Sequence, residues 1–340
     1  MNHKAREGDF IETGEGLIFD VKGLLHPPDR VIAYLRYIPD KRGPREKAGL
    51  RYRKVYALNK RTKLLAKRWP HYLYNSPVFS RQVQAVPLGN IRRHYVPSER
   101  LAELRRAHAL DEQERLAVDL SETLVRKTGV SISKIGLTGS ILVGLHREES
   151  DIDLILYGKD TAHSCHGALR LLLETTAEGF SPLDRSDLRR LYVARNITHE
   201  VSFETFVRHE QSKVLQGKFR GVPYFLRCVK EWKEVNENYG DKKYFPICRL
   251  SLDATVADDA ESIFTPCTYR LSNVRLVDGG FGTQVPFEIV SFRGRFCDQA
   301  KKGDHVVAEG LLERILDERD EIHRLVVGEN ARDRLIVVER

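Results

Sequence analysis

Two aspartates, Asp151 and Asp153, follow a Gly-Ser pair, Gly139 and Ser140, by about a dozen residues in the stretch LTGSILVGLHREESDIDLILYG, residues 137–158. Asp151-Ile-Asp-Leu-Ile-Leu-Tyr157 alternates with the period of a strand. The two carboxylates therefore share one face, with Cα atoms roughly 7 Å apart. Paired acids in that relation can hold Mg²⁺ or Mn²⁺ ions, which clamp the attacking and leaving oxygens of phosphoryl or nucleotidyl transfer. Gly139 lets backbone approach a ligand closely, and Ser140 offers a hydroxyl.

These residues need a strand, a tight turn and a helix start to hold them. Lys134–Leu137 is the apolar lead-in, Thr138-Gly139-Ser140 breaks it, and Ile141–Leu145 reads as the first turns of a short helix. A helix N-terminus presents unpaired N–H groups and favours phosphate. Leu154 and Leu156, with Ile141, Leu142 and Leu145, supply packing behind the acids.

The combination of Gly139, Ser140, Asp151 and Asp153 resembles the signature of the DNA polymerase β-like nucleotidyltransferase superfamily. The whole chain is similar to a group of uncharacterised archaeal nucleotidyltransferases. The resemblance implies an α/β (α+β) nucleotidyltransferase core with a mixed sheet. It implies that Ser140 and nearby backbone hold triphosphate oxygens, and that Asp151 and Asp153 hold the metals. The superfamily also carries a third carboxylate on a later strand, often beside an arginine. The corresponding strand here is Pro223–Lys230; with Arg227 as the arginine, a nucleotide-binding residue, the acid position falls at Phe225. Asp20, Asp29, Glu204 and Glu231 are the candidate substitutes, and the sequence does not choose among them.

Three segments follow: a basic β-rich module at 1–96, the nucleotidyltransferase core at 97–238, and a β-barrel-like domain at 239–340. In the first, Gly16–Lys22 and Arg30–Tyr37 read as strands, and basic residues alternate with aromatics through Arg51–Tyr74, the composition of a single-stranded nucleic-acid groove or of a solvated basic face with its aromatics inside. In the second, Ser98 and Asp111 are expected N-caps, with Leu116, Leu120 and Leu124 on a helix ending near Gly129. Helices are also expected at Ala162–Ala177, Ser186–Arg195 and Ser202–Gln216. In the third, strands are expected at Ile247–Val256, Thr268–Val277, Val285–Phe296, His305–Leu316, His323–Val327 and Arg334–Val338, with turns at Asp278–Gly280, Lys302–Asp304 and Glu329–Asn330. Lys302–Glu313 resembles the middle strands of an oligonucleotide-binding-type barrel, with Arg293, Arg295, Phe292 and Phe296 as expected contacts.

The net charge of +8 and pI near 9.2 point to a polyanionic partner, RNA or DNA. Five scattered cysteines without a C-x-x-C argue against a zinc ribbon and fit a reducing cytoplasm; His163-Ser-Cys-His166 is a weaker cluster of metal-ligand types. No apolar run reaches membrane-spanning length, and Met-Asn-His-Lys begins no signal-peptide core. The activity expected is metal-dependent transfer of a nucleoside monophosphate from a nucleoside triphosphate to a hydroxyl, with nucleic acid as the acceptor class. The alternatives are a nucleic-acid-binding protein with a degenerate pocket, and transfer to a protein or small molecule.

Overall fold

The computed structural model describes residues 4–195, 197, 201–278, 284–318 and 320–338. The chain divides into two interleaved compact units, Met1–Ser76 with Arg81–Ala168 and Phe219–Tyr239, and Pro77–Ser80 with Leu169–Lys218 and Gly240–Arg340.

The first unit begins with strands β1 (Phe10–Thr13), β2 (Ile18–Val21), β3 (Arg30–Pro39), β4 (Arg45–Lys47) and β5 (Leu50–Lys54). Helix α1 (Leu58–Arg68) precedes β6 (Leu73–Ser76), β7 (Arg81–Pro87) and β8 (Ile91–Tyr95). The sheet runs β4-β5-β3-β2-β1-β8, with β7 joined to β3 and β6. One of its faces packs Ile11, Leu17, Phe19, Leu35 and Val86 with Leu65 of α1 and Tyr72. The other presents Phe10, Ile18, Tyr37, Tyr52 and Tyr95 to Leu142, Val143 and Leu145. The strand partners give the same division: Ile18 pairs with Tyr37, Tyr52 with Pro39 and Phe10 with Asp20, and opposed residues share a face. The register slips between Ile18, opposite Tyr37, and Phe19, opposite Leu35, so Arg36 is the extra residue of a β-bulge.

Next come α2 (Pro97–Leu104), α3 (Glu112–Thr128), β9 (Ile135–Leu137), α4 (Gly139–Leu142), β10 (Ile152–Tyr157), α5 (Lys159–Glu174) and β11 (Val222–Val229). The cap of α2 differs from expectation. Pro97 occupies the first helical turn and Val96 is the N-cap, because a proline has no N–H to satisfy there. Asp111 does cap α3, in a capping box with Glu114, and Gly129 at φ 71° ends the helix. Strand β10 lies between β9, antiparallel to it, and β11, parallel to it, so this sheet is mixed. Leu154, Ile155 and Leu156 are fully buried, as a central strand requires.

In the second unit α6 (Arg185–Arg195) and α7 (Phe203–Gln211) pack Leu188, Tyr192, Phe206 and Val207 together. Ser202 caps α7, but the helix stops at Gln211; residues 212–215 turn, and a short strand, Gln216–Phe219, starts where the expected helix was to end. Glu210 makes the reason plain. Its carboxylate is buried and holds Lys213 Nζ at 2.6 Å, Arg195 at 2.9 Å and Gln216 Nε2 at 2.6 Å. Lys213, itself buried, also donates to the Arg295 carbonyl and, at 3.3 Å, to Gln299. The chain leaves the helix to bring these partners round one buried acid.

Strands β12 (Lys243–Asp258), β13 (Cys267–Asp278), β14 (Glu288–Ser291), β15 (His305–Leu316) and β16 (Glu321–Val326) complete the second unit with β17 (Arg334–Val338). The first five close into a ring, β12-β13-β14-β16-β15 and back to β12, parallel only between β14 and β16. Strand β17 pairs with the His305–Glu309 half of β15. Leu252, Ala254, Tyr269, Ile289, Val306, Leu312 and Leu325 fill the interior. The expected strand at Val285–Phe296 shortens to β14, and Phe296 joins the core instead of offering a stacking surface. Of the turn at Asp278–Gly280, both glycines lie outside the described residues. No helix among the described residues is long and apolar enough to cross a membrane.

Two buried histidines give the fold a pH dependence. Burial pushes His26 and His209 down to about 4, the Ala5 carbonyl partly opposing it at His26 and Lys213 adding to it at His209. Both groups bind protons more weakly folded than unfolded, so their contribution is complete above about pH 6.5 and is lost as pH falls through about 4. Denaturant titrations from pH 7 to pH 4 are expected to show falling stability, at most about 1.4 kcal/mol per pH unit for each histidine. Removing both side chains as His26→Gln and His209→Gln should flatten that limb.

Candidate active site

Strand β9 delivers the chain into Thr138-Gly139-Ser140 beside β10. Leu137 pairs with Leu154, and the Thr138 N–H bonds the Asp153 carbonyl at 3.0 Å. Gly139 has φ 66°, and a Cβ there would fall 2.0 Å from Asp153 Oδ2. Only glycine permits both this backbone conformation and that approach. Gly139 and Asp153 are thus neighbours in space, and Asp151, exposed, immediately precedes the strand that carries Asp153, not within it as the strand alternation suggested. Helix α4 is a single turn, shorter than the stretch to Leu145 suggested, so any anion here would meet local N–H groups more than a helix dipole. Ser140 is buried, and its hydroxyl has no partner among the described residues.

Neither carboxylate of the pair makes a hydrogen bond or an ion pair among the described residues. Burial pushes Asp153 up to about 7, the Asp151 charge adds to the rise, and Lys54, Arg227 and Arg36 oppose it. Two acids kept close without protein donors are what a bound cation would neutralise.

Arg227 lies on β11. In the parallel register Asp153 is opposite Phe225, and Ile155 is opposite Arg227. Phe225 and Asp153 therefore stand side by side on one face, with a ring where a third carboxylate would adjoin the pair. The Arg227 guanidinium reaches toward the N-terminal segment, bonding Glu7 and coming within 4.0 Å of Asp20. Glu7 is almost wholly buried and also binds Lys22 at 2.9 Å and the Gly23 N–H at 2.8 Å. Gly8 fits this segment onto β10: at φ 91° its missing Cβ leaves space for Ile155 Cδ1, and its carbonyl accepts from Thr138 at 2.6 Å.

The four candidate substitutes for the third acid fall in distinct settings. Asp20 is buried beside Arg227, ion-paired to Lys22 at 3.0 Å, with Oδ1 making no hydrogen bond. Asp29 is exposed and paired with Arg30. Glu231 binds Lys134 past the far end of β11, near Gly158, about 20 Å along the strands from Asp151. Glu204 is exposed in the second unit, paired with Arg185. Among the described residues the ligand atoms of His163, Cys165 and His166 do not converge. Asp111, Glu114 and His146 do, but Asp111 and Glu114 are the capping box of α3.

The sequence reading missed three residues, Glu7, Arg36 and Lys54. Arg36 interrupts the apolar run of β3 and Lys54 ends β5 facing the same way as Tyr37, its strand partner. Arg36 was readable as a charge in an apolar strand; the bulge that turns it was not.

Gly139→Ala is expected to force the left-handed backbone, at about 1–2 kcal/mol, and to displace the Asp153 carboxylate. A shift of that kind is expected to lower turnover about 100-fold, with Tm reduced by only a few degrees. Kinetics and thermal melts of the one variant check both effects.

A strand-turn-strand that gathers a Gly-Ser turn and two acids on a mixed sheet defines a nucleotidyltransferase domain, and the family model of that domain matches residues 119–204. The match covers the turn and the acidic pair and ends before β11. An uncharacterised protein of Methanocaldococcus jannaschii is 30% identical over 339 residues, 96% of each chain. The chain belongs to one family with that archaeal protein and carries a nucleotidyltransferase domain. No solved structure matches it.

Proposed function

We propose that the protein transfers a nucleoside monophosphate from a nucleoside triphosphate to a hydroxyl of a nucleic-acid acceptor. The observation that carries this is the unpartnered pair Asp151 and Asp153, one of them pressed against Gly139. The free carboxylates and the glycine gap suit Mg²⁺ or Mn²⁺, which Asp151 and Asp153 would hold. When bound, the metal supplies charge neutralisation at the transferring phosphoryl group. The Gly139–Ser140 turn offers backbone N–H groups and the Ser140 hydroxyl to phosphate oxygens. Arg227, fixed by Glu7, keeps a positive charge beside the pair.

Charge distribution supports the acceptor class. Residues 1–96 hold 20 Lys and Arg against 8 Asp and Glu, whereas residues 239–340 hold 15 against 18. The basic excess sits in the N-terminal module, and the C-terminal ring has none. On α1, Lys60, Lys63, Lys67 and Arg68 are all exposed, and Trp69 lies under Arg68 at 4.3 Å. Tyr52 and Tyr72 are core residues, while Tyr56 is 66% exposed. We therefore assign nucleic-acid contact to this module. Replacing the four α1 cations by glutamine should weaken oligonucleotide binding and reduce the slope of log K against log salt by about 3 for a single strand.

Incubation with α-³²P-labelled nucleoside triphosphates, Mg²⁺ or Mn²⁺ and mixed RNA and DNA oligonucleotides tests the function. Label on an oligonucleotide, absent with Asp151→Asn/Asp153→Asn, is the expected result. Label on the protein itself would move the acceptor to a side chain. Oligonucleotide binding without any transfer would favour the second reading, a non-catalytic nucleic-acid-binding protein, which the ring of Phe225 beside Asp153 supports.

A further inference from the structure

Two cations of the N-terminal module lie within electrostatic reach of the acidic pair, with no side-chain ion pair or hydrogen bond among the described residues. Lys54 shares the face of Tyr37, its partner across β3 and β5, and that face is the one packed on Leu142, Val143 and Leu145. Arg36 is the bulged residue next to Tyr37, and bulges re-aim side chains at sites. Arg45 ties the same sheet to the core by donating to the Leu145 carbonyl. The side chains of Arg36 and Lys54 make no ion pair or hydrogen bond among the described residues. Their one contact of note is with Tyr56, whose ring lies 5.8 Å from Arg36 and 4.9 Å from Lys54. Lys54 is within electrostatic reach of both Asp151 and Asp153, and Arg36 of Asp153 and of the buried Asp20, yet neither cation closes onto an acid.

Two acids and two cations gathered round one space without hydrogen-bond or ion-pair partners among the described residues are costly in the absence of a ligand. Two acids and two cations held apart match a metal–polyphosphate, in which the metal meets the acids and the phosphate oxygens meet the cations. The neighbouring charges differ: Glu7, Lys22 and Arg227 are already paired with one another. We infer that Arg36 and Lys54, delivered by the N-terminal sheet, are the polyphosphate-binding cations of the site, so that this module completes the donor pocket as well as contacting the acceptor. The inference rests on the proposed nucleotide reading for the identity of the ligand.

The test uses inorganic tripolyphosphate with Mg²⁺ as the probe, titrated calorimetrically into the full chain, alongside α-³²P transfer. Arg36→Met and Lys54→Met should each weaken tripolyphosphate binding at least about tenfold, the loss of one hydrogen bond to a charged group. Arg36→Lys and Lys54→Arg should recover most of it, and unchanged melting curves separate the effect from misfolding. In transfer, the methionine variants should raise KM for the nucleotide more than they lower kcat. Methionine variants that bind the probe as the wild type does would overturn the inference. So would a wild type that ignores tripolyphosphate, even while transferring label, a result that leaves the nucleotidyltransferase reading standing. Binding that depends on Arg36 and Lys54, with no transfer to any acceptor, would uphold the inference and remove that reading.

Discussion

Asp153→Asn is expected to lower nucleotidyl transfer by about 10³-fold or more while the fold survives. The amide keeps the volume and cannot carry the charge. Neutralisation of transferring phosphate is worth several kcal/mol, and each 1.36 kcal/mol is about tenfold. The fold should tolerate the change because Asp153 makes no side-chain bond that asparagine would break. The charge of Asp153 is in fact disfavoured by burial and by Asp151, so Asp153→Asn should leave Tm unchanged or raise it. Turnover and melting temperature moving in opposite directions is the signature of a functional charge. A variant with wild-type turnover would remove Asp153 from the chemistry.

Glu210→Ala is expected to have the opposite profile. Burial disfavours the Glu210 charge, but Arg195 and Lys213 outweigh it and hold the carboxyl down at about 2. Truncation leaves Lys213 buried with its charge uncompensated, a change of about 3–5 kcal/mol. Glu210→Ala/Lys213→Met should recover a large part of the loss, since it removes the buried Lys213 charge and leaves only Arg195, which is partly exposed, without its partner. Urea melts of the two variants decide this. Because the folded pKa lies below the unfolded one, the wild-type contribution is present above about pH 4.5 and disappears as pH falls through about 2.

The part of the site legible in the sequence is local. Gly139 and Ser140, Asp151 and Asp153 lie within a few turns of chain, so their grouping reads directly from the residues, although β10 itself begins only at Ile152. The parallel register that sets Phe225 opposite Asp153 is not local, since it depends on a strand about 70 residues later. It was approached only through the position of Arg227. The Arg36 bulge, the seating of Gly8 on Ile155 and the pairing of Glu7 with Arg227 depend on how one sheet is laid over another, and residue patterns do not encode that at short range. Strand positions in the C-terminal ring were legible because barrel strands alternate, but Phe296 was misjudged. An aromatic next to arginines has the same composition whether it stacks a base or plugs a barrel.

The interleaving of the two units carries a consequence for how the chain is made. Strand β10 leaves the ribosome at residues 152–157, but its parallel neighbour β11 follows only at 222–229. Until then one side of an apolar strand, Ile152-Asp-Leu-Ile-Leu-Tyr157, remains unzipped while α6, α7 and their loops are being synthesised. An unpaired apolar edge of that kind is a place for a nascent chain to stick to its neighbours or to recruit a chaperone. Asp153 lies on that strand, with Asp151 just before it, so the site is among the last parts of the first unit to take shape.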